Sequence, residues 1–309
     1  MLDALQTSDP SAVIEIESLV RRFGDKTALD GASLEIPRGC VFGLVGQNGA
    51  GKTTLIRHLL GLLAAQEGTI RVFGHDPVRD PVGVLSRLGH LSEERHLPQW
   101  MRVDELLAYT RAFYPSWDPE YAETLCRDFD LDPGQKVKAL SKGQHVRLGL
   151  VCALAHRPEL LVLDEPSSGL DPVIRRDVLE AIIRTVAEDG RTVLFSSHLL
   201  DEVERVADHV AMIHHGKVLL ADTLDSIHRH HHHLVLRVES PSEEPPTLPG
   251  TLYCEPDASE WSLVCHHELD GLHRAIESLG AELVEHRRPN LDEICLAWTR
   301  ARGEREPAC

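Results

Sequence analysis

The chain has little positive charge for its length. Lys and Arg number 32 against 49 Asp and Glu, so the net charge of the 309 residues is −17 with histidine neutral. Such an acidic balance repels phosphodiester backbones, so no nucleic-acid partner is expected, and neither is direct electrostatic docking on anionic lipid. The seven cysteines are odd in number and form no C-x-x-C pair, which fits reduced thiols in a cytosolic protein better than a disulfide framework. The opening "MLDALQTSDPSAV" lacks the basic start and apolar block of a secretory signal. Apolar runs such as "LLGLLAA" at 59–65 are far too short to span a bilayer. If the protein works at a membrane, another chain is expected to supply the membrane part.

What is present is enough apolar residue for a core, at 42%, in a length that suits an ordinary domain plus a smaller one. "VIEIESLV" (13–20) alternates as a half-buried strand does, and "SLEI" (33–36) is a second strand candidate. "CVFGLVG" (40–46), "ELLVLDE" (159–165) and "TVLFSS" (192–197) are nearly all apolar, as strands covered on both faces are. Helices are expected from Lys52 to Leu63, over "VDELLAYTRAFY", over "DPEYAETLCRDF" with Asp118 as cap, from Ser141, and over 173–190. This rhythm implies a parallel sheet with helices on its faces. "VAMIHHGKVLLA" (210–221) reads as a hairpin turning at His215-Gly216. Beyond about residue 225 the character changes to a small separate α/β unit. It contains a proline-rich loop (240–250), a helix at about 268–279 and a helix capped by Asn290 and Glu293. The run "HRHHHH" (228–233) is expected to be a solvated segment between the units, although four consecutive histidines can bind Zn²⁺ or Ni²⁺.

"GQNGAGKT", Gly46 to Thr53, fits G-x-x-x-x-G-K-[ST] at every fixed position, after a buried strand and before a helix. Glycines let the backbone wrap so that N–H groups face phosphate oxygens, and the helix start adds its positive end. Gly46, Gln47, Asn48, Gly49, Ala50, Gly51, Lys52, Thr53 and Thr54 are therefore candidate nucleotide contacts. Lys52 is expected on the β- and γ-phosphates and Thr53 on Mg²⁺. Asp164, ending "LLVLD", supplies a carboxylate for Mg²⁺, and Glu165 is the candidate general base. "LSKGQ" (140–144) sets a hydroxyl and a glycine at a further helix start, a second arrangement suited to an anion.

Taken together, "GQNGAGKTT", "LSKGQ", "LLVLDEP", "SSGLDP" and "SSH", in that order, resemble the ATP-binding subunits of ABC transporters. The resemblance implies a P-loop NTPase core with a mainly parallel sheet, an antiparallel β edge and a helical signature subdomain, followed by a small α/β C-terminal unit. The expected boundaries are 13–224 for the ATP-binding domain, with its helical part at about 95–157, and 225–309 for an accessory or regulatory domain.

The resemblance also implies an ATPase using ATP and Mg²⁺. Its site would be shared between two copies, or between this chain and a second ATPase subunit. Ser141, Gly143 and Gln144 would meet the γ-phosphate bound to the partner, Asp171 would couple the two sites, and His198 would contact the γ-phosphate. Phe23 falls where the family stacks an aromatic on adenine, the alternative being a core phenylalanine. Lys142 replaces a usual glycine and is expected to be solvated rather than to draw phosphate. Glu93 stands where the family has Gln and is expected near Mg²⁺.

The ending "RRPNLDEICLAWT" and the stretch "FYPSWDPEY" resemble bacterial exporters whose integral membrane permease subunits are separate chains, a group that includes exporters of drugs, antibiotics and peptides. That places the protein in the cytoplasm, on the inner face of the membrane. Leu97, Trp100 and Met101 are read as part of an apolar dock for the permease, with core packing as the alternative. A soluble ABC ATPase without a transport role is the other functional reading.

Overall fold

The structure is a computed structural model that describes residues 12–93, 97–176, 178–180, 190–237, 245–257 and 260–303. It divides into two compact units, residues 1–221 and 222–309.

In chain order the first unit contains β1 (Ala12–Phe23), β2 (Lys26–Pro37), β3 (Val41–Val45), α1 (Lys52–Leu59), β4 (Glu67–Val72), α2 (Pro81–Leu85) and β5 (Leu88–Leu91). There follow α3 (Val103–Arg111), α4 (Pro119–Asp128), α5 (Lys142–Leu154), β6 (Leu160–Leu163), β7 (Thr192–Ser197), a short helix Leu200–Val206, β8 (His209–His214) and β9 (Lys217–Thr223). The main sheet has the order β5-β6-β7-β3-β8-β9. β5, β6, β7, β3 and β8 are parallel throughout. An antiparallel sheet, β2-β1-β4, stands beside it.

The all-apolar strands are buried along their whole length: β3, β6 and β7 have no exposed residue. Each fully buried Leu, Val or Phe contributes roughly 1.5–3 kcal/mol of transfer free energy. The sheet is therefore a rigid floor, and its strands deliver their C-terminal ends to one edge, where parallel α/β sheets place their ligands. The β8–β9 turn is at His215 (φ 46°) and Gly216 (φ 77°), both left-handed as a two-residue hairpin requires. A side chain at Gly216 would meet the Ala28 carbonyl at 2.8 Å. The Gly216 N–H donates to Ala50 O and its carbonyl accepts from Asp30 N, each at 2.9 Å. The hairpin thus ties β2 to the loop after β3.

α1 ends at Leu59 rather than Leu63. Gly61 takes φ 69°, and a Cβ there would lie 2.3 Å from the Pro77 carbonyl. That left-handed φ lies outside the right-handed helical region, so the helix ends before Gly61, and the nearness of Pro77 reserves the position for glycine. The strand read over 33–36 is the end of the longer β2. The helix expected over 173–190 is helical at 172–176 and 178–180, and residues 177 and 181–189 lie outside the described residues.

The second unit has a four-stranded antiparallel sheet in the order β11-β12-β10-β13. These strands are β10 (His231–Arg237), β11 (Thr251–Asp257), β12 (Glu260–His266) and β13 (Glu282–Arg287). Helices Leu224–His230, Leu269–Leu279 and Leu291–Gly303 accompany them. Leu234, Leu236, Leu263, Leu272 and Ile276 form its core. Asn290 and Glu293 cap the last helix reciprocally, each side chain accepting from the other's backbone N–H at 2.9 Å. The proline-rich loop is seen only at 245–250.

The histidine run is not a solvated segment. His228 and His230 lie in the first helix of the unit, and His231 to His233 open β10, with His231 0% and His232 4% exposed. Pairing with β12 and β13 covers the strand on both sides.

Candidate nucleotide site

The chain leaves β3 at Val45 and reaches α1 through a loop that only glycine can form. Gly46, Gly49 and Gly51 have φ of 159°, 83° and 119°. A side chain at Gly46 would meet the Ile213 carbonyl at 2.3 Å, and one at Gly51 the Ala28 carbonyl at 2.7 Å. α1 has no side-chain cap and no acidic residue in its first turn. Its first N–H groups thus have no competitor for an anion.

Lys52 is 5% exposed. Its Nζ donates to Gly46 O at 2.6 Å and pairs with Glu165 Oε1 at 3.0 Å. The other oxygen of Glu165 is 2.7 Å from His198 Nδ1. Lysine, carboxylate and imidazole, drawn from three parts of the sequence, thus form one chain of contacts. β6 is followed by Asp164, 3% exposed, whose N–H donates to Leu91 O at 2.9 Å. That bond sets the strand beside the end of β5, two residues before Glu93. Glu165 takes a left-handed φ of 47°. For a non-glycine residue this costs about 1–2 kcal/mol and is held by its surroundings.

A cleft of about 310 Å³ opens over the loop, lined by Phe23, Gln47, Lys52, Thr53, Glu93 and Glu165 among others. Phe23 is exposed, with the Arg21 guanidinium 4.7 Å over its ring, so it is not a core phenylalanine. Asn48, Gly49, Gly51 and Thr54 also face this cleft. Gly46 and Ala50 lie behind it, one receiving the Lys52 ammonium and the other hydrogen-bonded to Gly216. Thr53, Glu93 and Glu165 line this cleft, while Asp164 precedes Glu165 in the chain and is buried rather than among the lining residues; the hydroxyl and these carboxylates are the hard oxygen ligands that suit Mg²⁺.

The remaining candidates lie elsewhere. Ser141 caps α5: its Oγ accepts from Gln144 N at 3.2 Å, while Gln144 Oε1 accepts from Ser141 N at 2.9 Å. Gly143 is buried against Ile174, whose Cγ2 would lie 2.9 Å from an added Cβ. Asp171 Oδ1 accepts from Val173 N and Ile174 N, capping the helical stretch from 172. None of these four lines the cleft. Lys142 is exposed. Trp100 is 72% exposed, but Met101 is 8% exposed and belongs to the core rather than to an apolar dock.

Sequence reasoning missed Ser196. It is 0% exposed; its hydroxyl donates to Asp164 Oδ1 at 2.7 Å and accepts from Glu165 N at 2.9 Å. The strand carries buried hydroxyls at Thr192, Ser196 and Ser197, and nothing local marks Ser196 among them.

Residues 29–168 match a family profile described as "ABC transporter". A daunorubicin resistance ATP-binding protein of Streptomyces coeruleorubidus is 35% identical over 302 residues, 93% of this chain and 95% of the relative. That coverage extends into the second unit. A bacitracin transport ATP-binding protein of Bacillus licheniformis is 34% identical over 68% of this chain and 69% of the relative. Among solved structures, one described as the ATP-binding subunit of an ABC transporter superposes with a TM-score of 0.64 at 29% identity, over 70% of this chain and 92% of that one.

Proposed function

The chain belongs to the ABC transporter family as an ATP-binding, ATP-hydrolysing subunit, and from that premise we propose that it powers export of a drug, antibiotic or peptide through separate integral membrane subunits. Relatives that bear the names daunorubicin resistance and bacitracin transport support the cargo class. Among the described residues no helix is long and apolar enough to cross a membrane. In this reading the chain is held at the cytoplasmic face of the membrane by its permease.

The contact chain Lys52–Glu165–His198 carries the catalytic reading. Adenine stacks on Phe23, and the loop N–H groups take the phosphates. Lys52 exchanges the Gly46 carbonyl and Glu165 for phosphate oxygens, which frees the Glu165 carboxylate at the moment ATP arrives. A water attacks the γ-phosphorus, its proton passes to Glu165, and the bond to the β–γ bridging oxygen breaks to release ADP. His198 donates from Nδ1 to Glu165 and, with a proton on both ring nitrogens, donates from Nε2 to the γ-phosphate. Thr53 and Asp164, with Glu93 at the rim, would hold Mg²⁺. When bound, the ion neutralises charge developing on the phosphate oxygens.

Ser141, Gly143 and Gln144 point to a dimer, with a second copy or a second ATPase subunit. The start of α5, brought over a partner's γ-phosphate, would complete a site that one chain leaves open. Asp171, at the start of the neighbouring helix, lies beside that junction.

Glu165→Gln tests the reading. The variant should bind ATP, turn over at least about a hundredfold more slowly, and elute as a dimer in gel filtration with Mg-ATP. Turnover at the parent rate would remove Glu165 as the base.

A further inference from the structure

We propose that Ser196 is a positioning residue that aims both the Asp164 and the Glu165 carboxylates, so that one buried hydroxyl sets the metal-facing and the water-facing groups together. The inference rests on the roles given above to those two carboxylates.

Ser196 follows Thr192, Val193, Leu194 and Phe195 on β7, all buried. A hydroxyl in such a strand is unfavourable unless fully hydrogen-bonded. This one directs its bonds to two consecutive residues at the end of β6. Parallel pairing continues Leu163 opposite Phe195, which puts Ser196 beside Asp164. Donation to Asp164 Oδ1 at 2.7 Å fixes the carboxylate plane and leaves Oδ2 outside this bond. Acceptance from the Glu165 N–H at 2.9 Å holds the backbone where it turns to φ 47°. That turn carries the Glu165 side chain to Lys52 and His198. Outer partners of metal-binding carboxylates orient them, and their loss costs about 10–100-fold in metal affinity or activity.

The experiment compares Ser196→Ala, Ser196→Thr and Asp164→Asn in the full chain. Fluorescent ADP binding in EDTA counts folded sites in each preparation. Mn²⁺ binding to the ADP-loaded protein is then followed by the loss of the free-ion electron paramagnetic resonance signal, and turnover is measured at saturating Mg-ATP. Ser196→Ala should keep ADP binding in EDTA within about twofold, weaken Mn²⁺ by about tenfold or more, and slow turnover at saturating metal as well. Ser196→Thr, which keeps the hydroxyl, should recover the Mn²⁺ affinity. Unchanged Mn²⁺ affinity in the alanine variant, or a threonine variant shifted as far as alanine, overturns the proposal. If Asp164→Asn leaves Mn²⁺ binding unchanged, the metal role of Asp164 fails, and the proposal, which rests on it, fails for that separate reason.

Discussion

Lys52 and Glu165 have side chains only 5% and 6% exposed, 3.0 Å apart. Two charges taken out of water are tolerated as a pair, and removal of one partner typically costs about 3–5 kcal/mol. Without nucleotide, Glu165→Ala should therefore lower the thermal midpoint well below that of Glu165→Gln, whose amide oxygen still accepts from Lys52. Added ATP supplies new anions to Lys52 and should narrow the difference. A thermal-shift series with and without ATP checks this; equal midpoints for the two variants would mean that the pair does not form. Lys52→Ala removes the phosphate contact itself and should abolish nucleotide binding in the same assay. Gly51→Ala should act by geometry alone: a φ of 119° and a carbonyl 2.7 Å from the new Cβ leave the loop no room to close. Most of the residues in this cleft were legible because fixed spacing reflects fixed backbone geometry. Ser196 was not, because a parallel register joins residues 32 apart, and no local pattern shows it.

At the scale of elements, the start of α5 separates stability from function. The reciprocal bonds between Ser141 and Gln144 are a capping box, and Ser141→Ala should cost about 1 kcal/mol of stability. If the same hydroxyl meets a partner's γ-phosphate, turnover should fall by about tenfold or more, with ADP binding to the cleft unchanged. A loss of turnover no larger than the loss of folded protein would leave Ser141 a cap only. Capped helices were legible at this scale, since Asp118, Ser141 and Asn290 each accept from the N–H three residues on. The end of α1 was not, because the Pro77 carbonyl that leaves room only for glycine at position 61 arrives from a distant turn. β10 was misjudged at its first residues for a related reason. Histidine reads as polar, yet an imidazole whose two nitrogens find partners, as those of His231 do, is buried at little cost.

At the scale of the whole chain, that buried histidine cluster makes the second unit sensitive to acid. His231 Nδ1 donates to Ile227 O at 2.7 Å, and its Nε2 accepts from Trp298 Nε1 at 3.0 Å. The ring is stacked on His266 at 4.6 Å. Both nitrogens are committed to the neutral form, and burial followed by neighbouring imidazoles lowers its pKa to about 4. His232, 3.0 Å from His286 Nε2 through Nδ1, is lowered by burial and then by that neighbour. His233, His266 and His286 are lowered as well, in each case mainly by burial. The unfolded chain, with histidines near 6.5, therefore binds more protons than the folded unit once the pH drops below about 6.5. Stability is full above that pH and is lost as the pH falls toward 4, with His231 alone accounting for roughly 3 kcal/mol by then. Glu293 is held at about 2 by the Arg287 guanidinium and by its own cap, so its ion pair stays intact across this window and leaves the histidines as the cause. The reporters are at hand: Trp261 and Trp298 lie in the second unit, and Trp100→Phe with Trp117→Phe would silence the first. Urea unfolding followed by tryptophan fluorescence should show a midpoint that is level from pH 7.5 to about 6.5 and falls from there to pH 5. His231→Gln, which keeps an acceptor for Trp298 and loses the titrating group, should flatten that slope. A midpoint independent of pH over this range would show that the imidazoles are free to charge in the folded unit.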